Sequence, residues 1–578
     1  MRRRQCFPRS KFTLAPIASL ALALSLAAPL AAQAPKGTVK PDDPPPALTY
    51  HGLVPGLSKA EEVRKGLGTP ASEASWYAYK LLYPAEGRPE LTDSVHLHGK
   101  DGAYACTEAA SVPAGYENRK AVEAKLGEPE QEVRMATFAL LDYSQKGARF
   151  IFDKDGKTIG VAYVPHMQAR VHSGARRLID LSHLRQGPQP SPAKPASPGA
   201  LKAGAAEITI TPTTAEWLPA KVQKSFAVHD DIYARVVVFE KGGLQIALVG
   251  ADLFGMGARD ITPIREKAAA AGVNYLMFAM SHNHAAPDTI GVYGHYPAEY
   301  IAYIQDQVVK CVAEAQNSLK PVKELRAASR ELPMDGARVI GYIRNARNVG
   351  VVDPTMSVIQ PIGEDGKPIA TLVNFACHVE GLDRGVSELS ADFPGYMCHQ
   401  IRADGGGQPV FLNGAVGGMV SGDSKARTHD EAKVTGLGLA ALAKDLAATA
   451  QPPATFEYSV DTRRVEIPLS NQNFKMLYTA RQIPLNRGRV VTEMALVKLG
   501  EAQLVSIPGE LLPEISFEIQ EKMTGFPRIL VGLANDELGY IIPEYDFRSD
   551  SYEETMSQGP ATAPIVRETA IRMLTGVK

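Results

Sequence analysis

The stretch RQGPQPSPAKPASPGALKAG, Arg185 to Gly204, constrains the fold most, because it divides the chain. It is rich in Pro, Ala and Ser and has hardly any large apolar residue. Such a composition cannot pack a core, so an extended linker is expected over 185–204. The chain has 578 residues, beyond the ~250–300 at which single cores usually stop growing. A smaller front region and a larger back region are therefore expected on either side.

The front region reads as an internal duplication. GLVPGLSKAEEVRKGLGTP (Gly52–Pro70) is echoed by ASVPAGYENRKAVEAKLGEP (Ala110–Pro129), and YAYKLLY (Tyr77–Tyr83) by ATFALLDY (Ala136–Tyr143). GKDG (Gly99–Gly102) is echoed by DKDG (Asp153–Gly156). Each copy predicts a short helix closed by Leu-Gly-x-Pro, then strands joined by an Asp-Gly turn, giving a small duplicated α+β module over 50–170. VHLHGKDG holds a His-x-His pair, His96 and His98, aligned in the sister copy with Phe150 and Phe152. Aromatic counterparts assign these positions to packing or surface rather than to a metal.

Residues 1–34 read as a secretory signal, with a basic start (Arg2, Arg3, Arg4, Arg9, Lys11), an apolar middle and Ala32-Gln33-Ala34. No other run is apolar enough to span a bilayer. Removing five basic and no acidic residues takes the net charge from −1 to −6, which argues against a nucleic-acid partner. A secreted or periplasmic protein is expected. There Cys106, Cys311, Cys377 and Cys398 could form disulfides, in pairings that the sequence does not specify.

The back region, 205–578, alternates strand-like runs (LQIALVGAD, NYLMFAM, PIATLVNFAC, PVFLNG, AQLVSIPG, RILVGLAN) with helical periodicity such as YIAYIQDQVVKCVAEAQNSL. The expected class is α/β, with mixed β-sheets flanked by helices. The runs end in Gly-, Asn- or His-rich loops, where such folds carry their chemistry. In MFAMSHNHAAPDT, His282 and His284 stand two residues apart, and in extended backbone both would face one site. Imidazole nitrogen suits Zn²⁺, which in catalytic sites keeps a position open for water. His378 in NFACHVEG, Glu510 in VSIPGELLPE, and Asn535, Asp536 and Tyr540 in VGLANDELGYIIPEYDF end other strands. Cys377 beside His378 reads as a small buried apolar group. Asp252 and Asp392 are candidates to orient ligands, His229 reads as structural, and His429, among charges, as solvated.

In this order, the motifs resemble those of the neutral (non-lysosomal) ceramidases and their bacterial relatives. SHNHAAP resembles the family's Thr-His-Thr-His-Ser-Gly-Pro, and NFACHVEG…SADFPGY (Asn374–Tyr396) its second zinc-histidine segment. PGE (Pro508–Glu510) and GLANDELGYIIPEYDFRSDSYE (Gly532–Glu553) resemble its last two motifs. The resemblance implies Zn²⁺ on His282, His378, Glu510 and Tyr540, with His284 beside the metal and Tyr552 bonding the substrate carbonyl oxygen. It also implies Arg344 near the substrate. The reaction implied is hydrolysis, by metal-activated water, of a small-molecule or lipid N-acyl linkage, in ceramide or another N-acylated lipid or amine, with membrane-surface contact available to such an enzyme. The family's Gly-Asp-Val-Ser loop corresponds to NGAVGGMVSGD (Asn413–Asp423), where Gly418 replaces the acid, Val420 falls at the serine position and Ser421 lies one residue on. No serine role is assigned.

Two other classes compete. One is a His-x-His barrel hydrolase or esterase, with both His282 and His284 on the metal. The other is a non-catalytic envelope binding protein with a decayed site.

Overall fold

The computed structural model describes residues 48–577 apart from 77, 98–99, 166–177, 183–196, 198, 219–226, 293–295, 336–337, 340–341, 383–387, 419, 423–425 and 548–551. The signal reading and most of the linker fall outside the described residues. Lys202–Gly204, which composition groups with the linker, already open a strand.

Two copies of one unit stand side by side in the front region. Each begins with an eight-residue helix, Ala60–Leu67 or Arg119–Leu126, closed by a glycine at positive φ. Four antiparallel strands follow, and the two meanders join through Tyr104–Ala109 against Thr158–Tyr163 to give a nine-stranded sheet completed by Leu178–Asp180. Both copies carry a register shift in the third strand, between His96 and Leu97 and between Ile151 and Phe152. The shift corrects the sequence alignment by one residue. His96 corresponds to Ile151, while Val95 and Leu97 pack inside with Phe150 and Phe152. His96 and Ile151 therefore lie on the opposite face, which docks on the back region.

The centre of the back region is an eight-stranded sheet. Its strands in chain order are β1 (Lys202–Thr209), β2 (Tyr233–Lys241), β3 (Leu244–Ala251), β4 (Tyr275–Met280), β5 (Lys320–Glu331), β6 (Thr355–Gly363), β7 (Ala370–Phe375) and β8 (Gln408–Asn413). Their lateral order is β4-β3-β2-β1-β5-β6-β7-β8, antiparallel except for the β3–β4 and β7–β8 pairs. The continuous apolar runs arise because both faces are covered. Leu276, Phe278 and Met280 of β4 pack toward the helices Ala258–Ala270 and Ala298–Asn317, while Met277 and Ala279 join the inner core. Val373 and Phe375 of β7 likewise face the helices Asp392–Ala403 and His429–Ala448. Inside, the two halves of the sheet meet each other and a second sheet of Glu457–Pro468, Arg489–Gly500, Ala502–Ser506 and Arg528–Val531. The sheet curls far enough for β8 to lie across β3, and Gly250 permits it, since a Cβ there would press on the Phe411 carbonyl. The carboxyl ends of β4, β7 and β8 are thereby gathered at one place.

Buried polar contacts seat the front module. Glu331 accepts from the amides of Ala136 (2.9 Å) and Thr137 (2.8 Å), and Arg149 donates to Val349 O at 3.1 Å. The four cysteines are all buried free thiols, so no disulfide forms among them. No helix among the described residues is long and apolar enough to cross a membrane.

Candidate metal centre

β4 ends at Met280, and the chain then leaves extended geometry: His282 has φ 64. The left-handed region costs most L-residues about 1–2 kcal/mol, so the surroundings must hold this backbone. They do so with Ser281 N on Ala251 O (2.9 Å), Asn283 N on Leu253 O (3.0 Å) and His284 N on Val379 O (2.8 Å). The strand-alternation argument for pairing His282 with His284 therefore fails, because a turn rather than a strand directs them. The rings still meet, with centroids 4.8 Å apart at 84°.

His378 follows β7 in the same manner, its amide donating to Val420 O at 2.8 Å. Its ring centroid is 4.7 Å from that of His282 and 5.7 Å from that of His284. One ligand-capable nitrogen from each of the three lies within 4.8 Å of the others. Asn413, the last residue of β8, stitches the two loops together. Its Nδ2 donates to Ser281 O and Cys377 O, both at 2.8 Å, while its Oδ1 accepts from Cys377 N (3.1 Å) and Gly414 N (2.9 Å). Sequence reasoning missed this role; the only signal was an Asn closing an apolar strand.

Glu510 and Tyr540 enter from the other side as partners in a parallel pair of two-residue strands, Glu510–Leu511 and Tyr540–Ile541. The loop Asn413–Gly418 passes beneath, and Gly417 leaves no room for a Cβ against the Glu510 carbonyl. Glu510 Oε2 lies 3.0 Å from His378 Nε2 and 3.5 Å from His282 Nε2. Burial pushes the Glu510 carboxyl up, but His282, His378 and a hydrogen bond from Tyr540 hold it below its ordinary value. The His378 imidazole is pulled down by burial yet held above its ordinary value by Glu510. Tyr552 is 51% exposed at the start of a short helix, its ring 6.1 Å from that of Tyr540.

The donor set fits a divalent metal on three grounds. His282 Nδ1 donates to Phe254 O at 2.9 Å, which fixes the tautomer and leaves Nε2 as a lone-pair donor. Neither buried ring nitrogen of His378 makes a hydrogen bond of good geometry, and Glu510 Oε2 is likewise without one. Buried polar atoms are ordinarily satisfied, so this convergence leaves a place for a cation.

The other predicted residues lie elsewhere. The Arg344 guanidinium, 2% exposed, turns to the front module: Nε donates to Glu108 Oε1 at 3.2 Å, and Nη2 lies 3.1 Å from His96 Nδ1. Asp252 is engaged by Arg235 (2.8 Å) and Asp392 by the amides of Leu382 and Phe393, so both are braces within the fold. Asn535 joins its own loop to β4 by accepting from Phe278 N at 3.0 Å, and Asp536 caps the Ala258–Ala270 helix through Ala258 N at 2.8 Å. Gly418 has φ 72, and Val420 is fully buried in the core, its carbonyl accepting from His378 N at 2.8 Å. The backbone of Ser421 pairs with that of Arg344. His284 Nδ1 stands 3.9 Å from Glu380 Oε2, a neighbour that the sequence did not single out.

No family model matches the chain, and no curated protein matches it. Among solved structures, it is similar to neutral ceramidase from Pseudomonas aeruginosa, at 17% identity and a TM-score of 0.53, over 65% of this chain and 75% of that one. It is similar also to a ceramidase complexed with C2, at 16% identity, a TM-score of 0.53 and the same coverage. With the curled sheet and its flanking helices, these likenesses establish that the chain has the neutral ceramidase fold.

Proposed function

We propose that this protein is a zinc-dependent hydrolase of N-acyl linkages, secreted or periplasmic, acting on ceramide or another N-acylated lipid or amine. One observation carries the reading: His282, His378, Glu510 and Tyr540 converge from four separate segments, and the buried ring nitrogens of His378 and Glu510 Oε2 make no hydrogen bond of good geometry. When bound, Zn²⁺ supplies Lewis acidity that makes a water molecule acidic near pH 7. His282 and His378 supply neutral imidazole nitrogen, Glu510 supplies charge, and the Tyr540 hydroxyl completes the set. His284, whose ring faces both ligand imidazoles, takes a proton on the attack side and returns it to the leaving nitrogen. Tyr552 donates its O–H to the carbonyl oxygen as charge gathers there; its exposed ring beside Tyr540 supports this role.

In a second reading, His284 is itself a ligand, favoured by the three-histidine grouping. Metal analysis of two variants separates them, alongside hydrolysis of N-acyl and ester substrates. On the first reading His282→Ala loses zinc, while His284→Ala keeps zinc and loses activity. Loss of zinc from both variants supports the second. A zinc content of His282→Ala equal to that of wild type would overturn both.

A further inference from the structure

Tyr552 stands on a helix of four residues, Tyr552–Thr555. Isolated helices below ~12–15 residues are marginal, and half of the Tyr552 surface is exposed. A single turn cannot by itself fix a hydroxyl for chemistry, so other parts of the chain must hold it. Two side chains from distant segments do so, Arg347 and Asn471.

The Arg347 side chain is 1% exposed, and every N–H of its guanidinium is spent on the segment around Tyr552. Ahead of Tyr552 in the chain, Nε donates to Asp546 Oδ2 (3.1 Å) and Nη2 to Asp546 O (2.6 Å). Directly after it, Nη1 donates to Glu553 Oε2 (3.1 Å), while Nη1 and Nη2 together grip Glu554 at Oε2 (3.1 Å) and Oε1 (2.7 Å). Burial pushes the Glu553 and Glu554 carboxyls up, Arg347 opposes this, and Asp546 adds to it. Without the cation, three crowded carboxylates would repel one another or take up protons, and either outcome loosens the helix. Arg347 is itself anchored: its backbone N donates to Asn345 Oδ1 (2.9 Å) and to Gly418 O (3.1 Å), on the loop that runs beneath Glu510. The guanidinium thus ties the floor of the metal centre to the arm that carries Tyr552. Asn471 secures the end of the same helix, where carbonyls lack partners within the turn. Its Nδ2 donates to Glu554 O (3.1 Å), Thr555 O (3.0 Å) and Ser557 O (2.8 Å), while its Oδ1 caps the helix Gln472–Ala480 through Asn473 N (2.8 Å).

We propose that Arg347, assisted by Asn471, is a positioning residue for the reaction, acting through Tyr552 by holding its hydroxyl where charge gathers on the substrate carbonyl oxygen. The inference rests on the hydrolase reading for what Tyr552 does, and on the hydrogen bonds above for what holds it.

Two variants of the full chain test it. Arg347→Lys keeps the charge but not the forked grip, and Asn471→Asp keeps the helix cap but loses the three donated bonds. Each is expected to lower kcat for an N-acyl substrate by about 100-fold, with KM and zinc content as in wild type. In a Tyr552→Phe background neither should lower kcat further, because the hydroxyl they place is gone; a role in the fold alone would cost the same in both backgrounds. Effects that multiply in full overturn the proposal. A readout independent of hydrolysis is the electron paramagnetic resonance spectrum of a nitroxide on Tyr552→Cys, prepared with Cys6→Ser because the other four cysteines are buried. Arg347→Lys, or Asn471→Asp should the first variant not fold, is expected to narrow the spectrum, and an unchanged one overturns the proposal. If wild type cleaves no N-acyl substrate, the hydrolase reading fails, while the spectra still decide whether Arg347 fixes this helix.

Discussion

Glu510 and Tyr540 are register partners across a parallel pair of strands only two residues long. The pair is held by Glu510 N on Gly539 O at 3.0 Å, and Tyr540 N is fixed from outside by Met556 O at 2.8 Å. Backbone pairing thus sets the spacing of carboxylate and phenol before any metal arrives. If Tyr540 is a ligand or braces one, Tyr540→Phe should weaken zinc binding by about 10–100-fold with little loss of stability. Competition with a chromophoric chelator measures it, and wild-type affinity in the variant would remove Tyr540 from the centre.

Asn413 makes four buried hydrogen bonds, three of which tie the His282 loop to the His378 loop. Asn413→Leu strips partners from buried groups, each costing about 1–3 kcal/mol. A stability loss of about 3 kcal/mol is expected in denaturant titrations, together with weakened zinc binding. A folded variant with unaltered stability would show that the loops hold their places without it.

Arg344 is buried against Glu108 and His96 of the front module. Removing one partner of a buried pair costs about 3–5 kcal/mol, so Arg344→Ala and Glu108→Gln should both loosen the module, seen as faster limited proteolysis of 48–180. If Arg344 instead serves substrate, its variant alone changes KM while Glu108→Gln does not.

His96 is fully buried, and burial, with Arg344 beside it, lowers its pKa to about 4. The fold needs the neutral ring, whereas the unfolded chain takes a proton at the ordinary pKa of about 6.5. The His96 contribution to stability is therefore flat above pH 6.5, falls as the pH drops toward 4, and levels off below. The loss is on the order of 3 kcal/mol. Comparing wild type with His96→Gln by denaturation at pH 7.5 and 4.5 tests this. Parallel losses in both proteins would clear His96 of the effect.

The strands and helices were legible because their signals are local. YLMFAM and ATLVNF become strands since a six-residue apolar run must cover both faces of a sheet, and the 298–317 helix follows from its period. The motif order pointed to His282, His378, Glu510 and Tyr540, yet the reason offered for the first histidine, strand alternation, was wrong because its backbone is left-handed. Only the tertiary structure decided which side chains meet. β4 and β7 stand six places apart in the sheet, and their loops touch because the sheet curls until β8 crosses β3. Asn413 between the loops, Arg344 turned to the module, and His229 stacked on His429 all depend on that closure. Apolar period is a property of neighbours along the chain, whereas the meeting of distant loops depends on how whole layers pack.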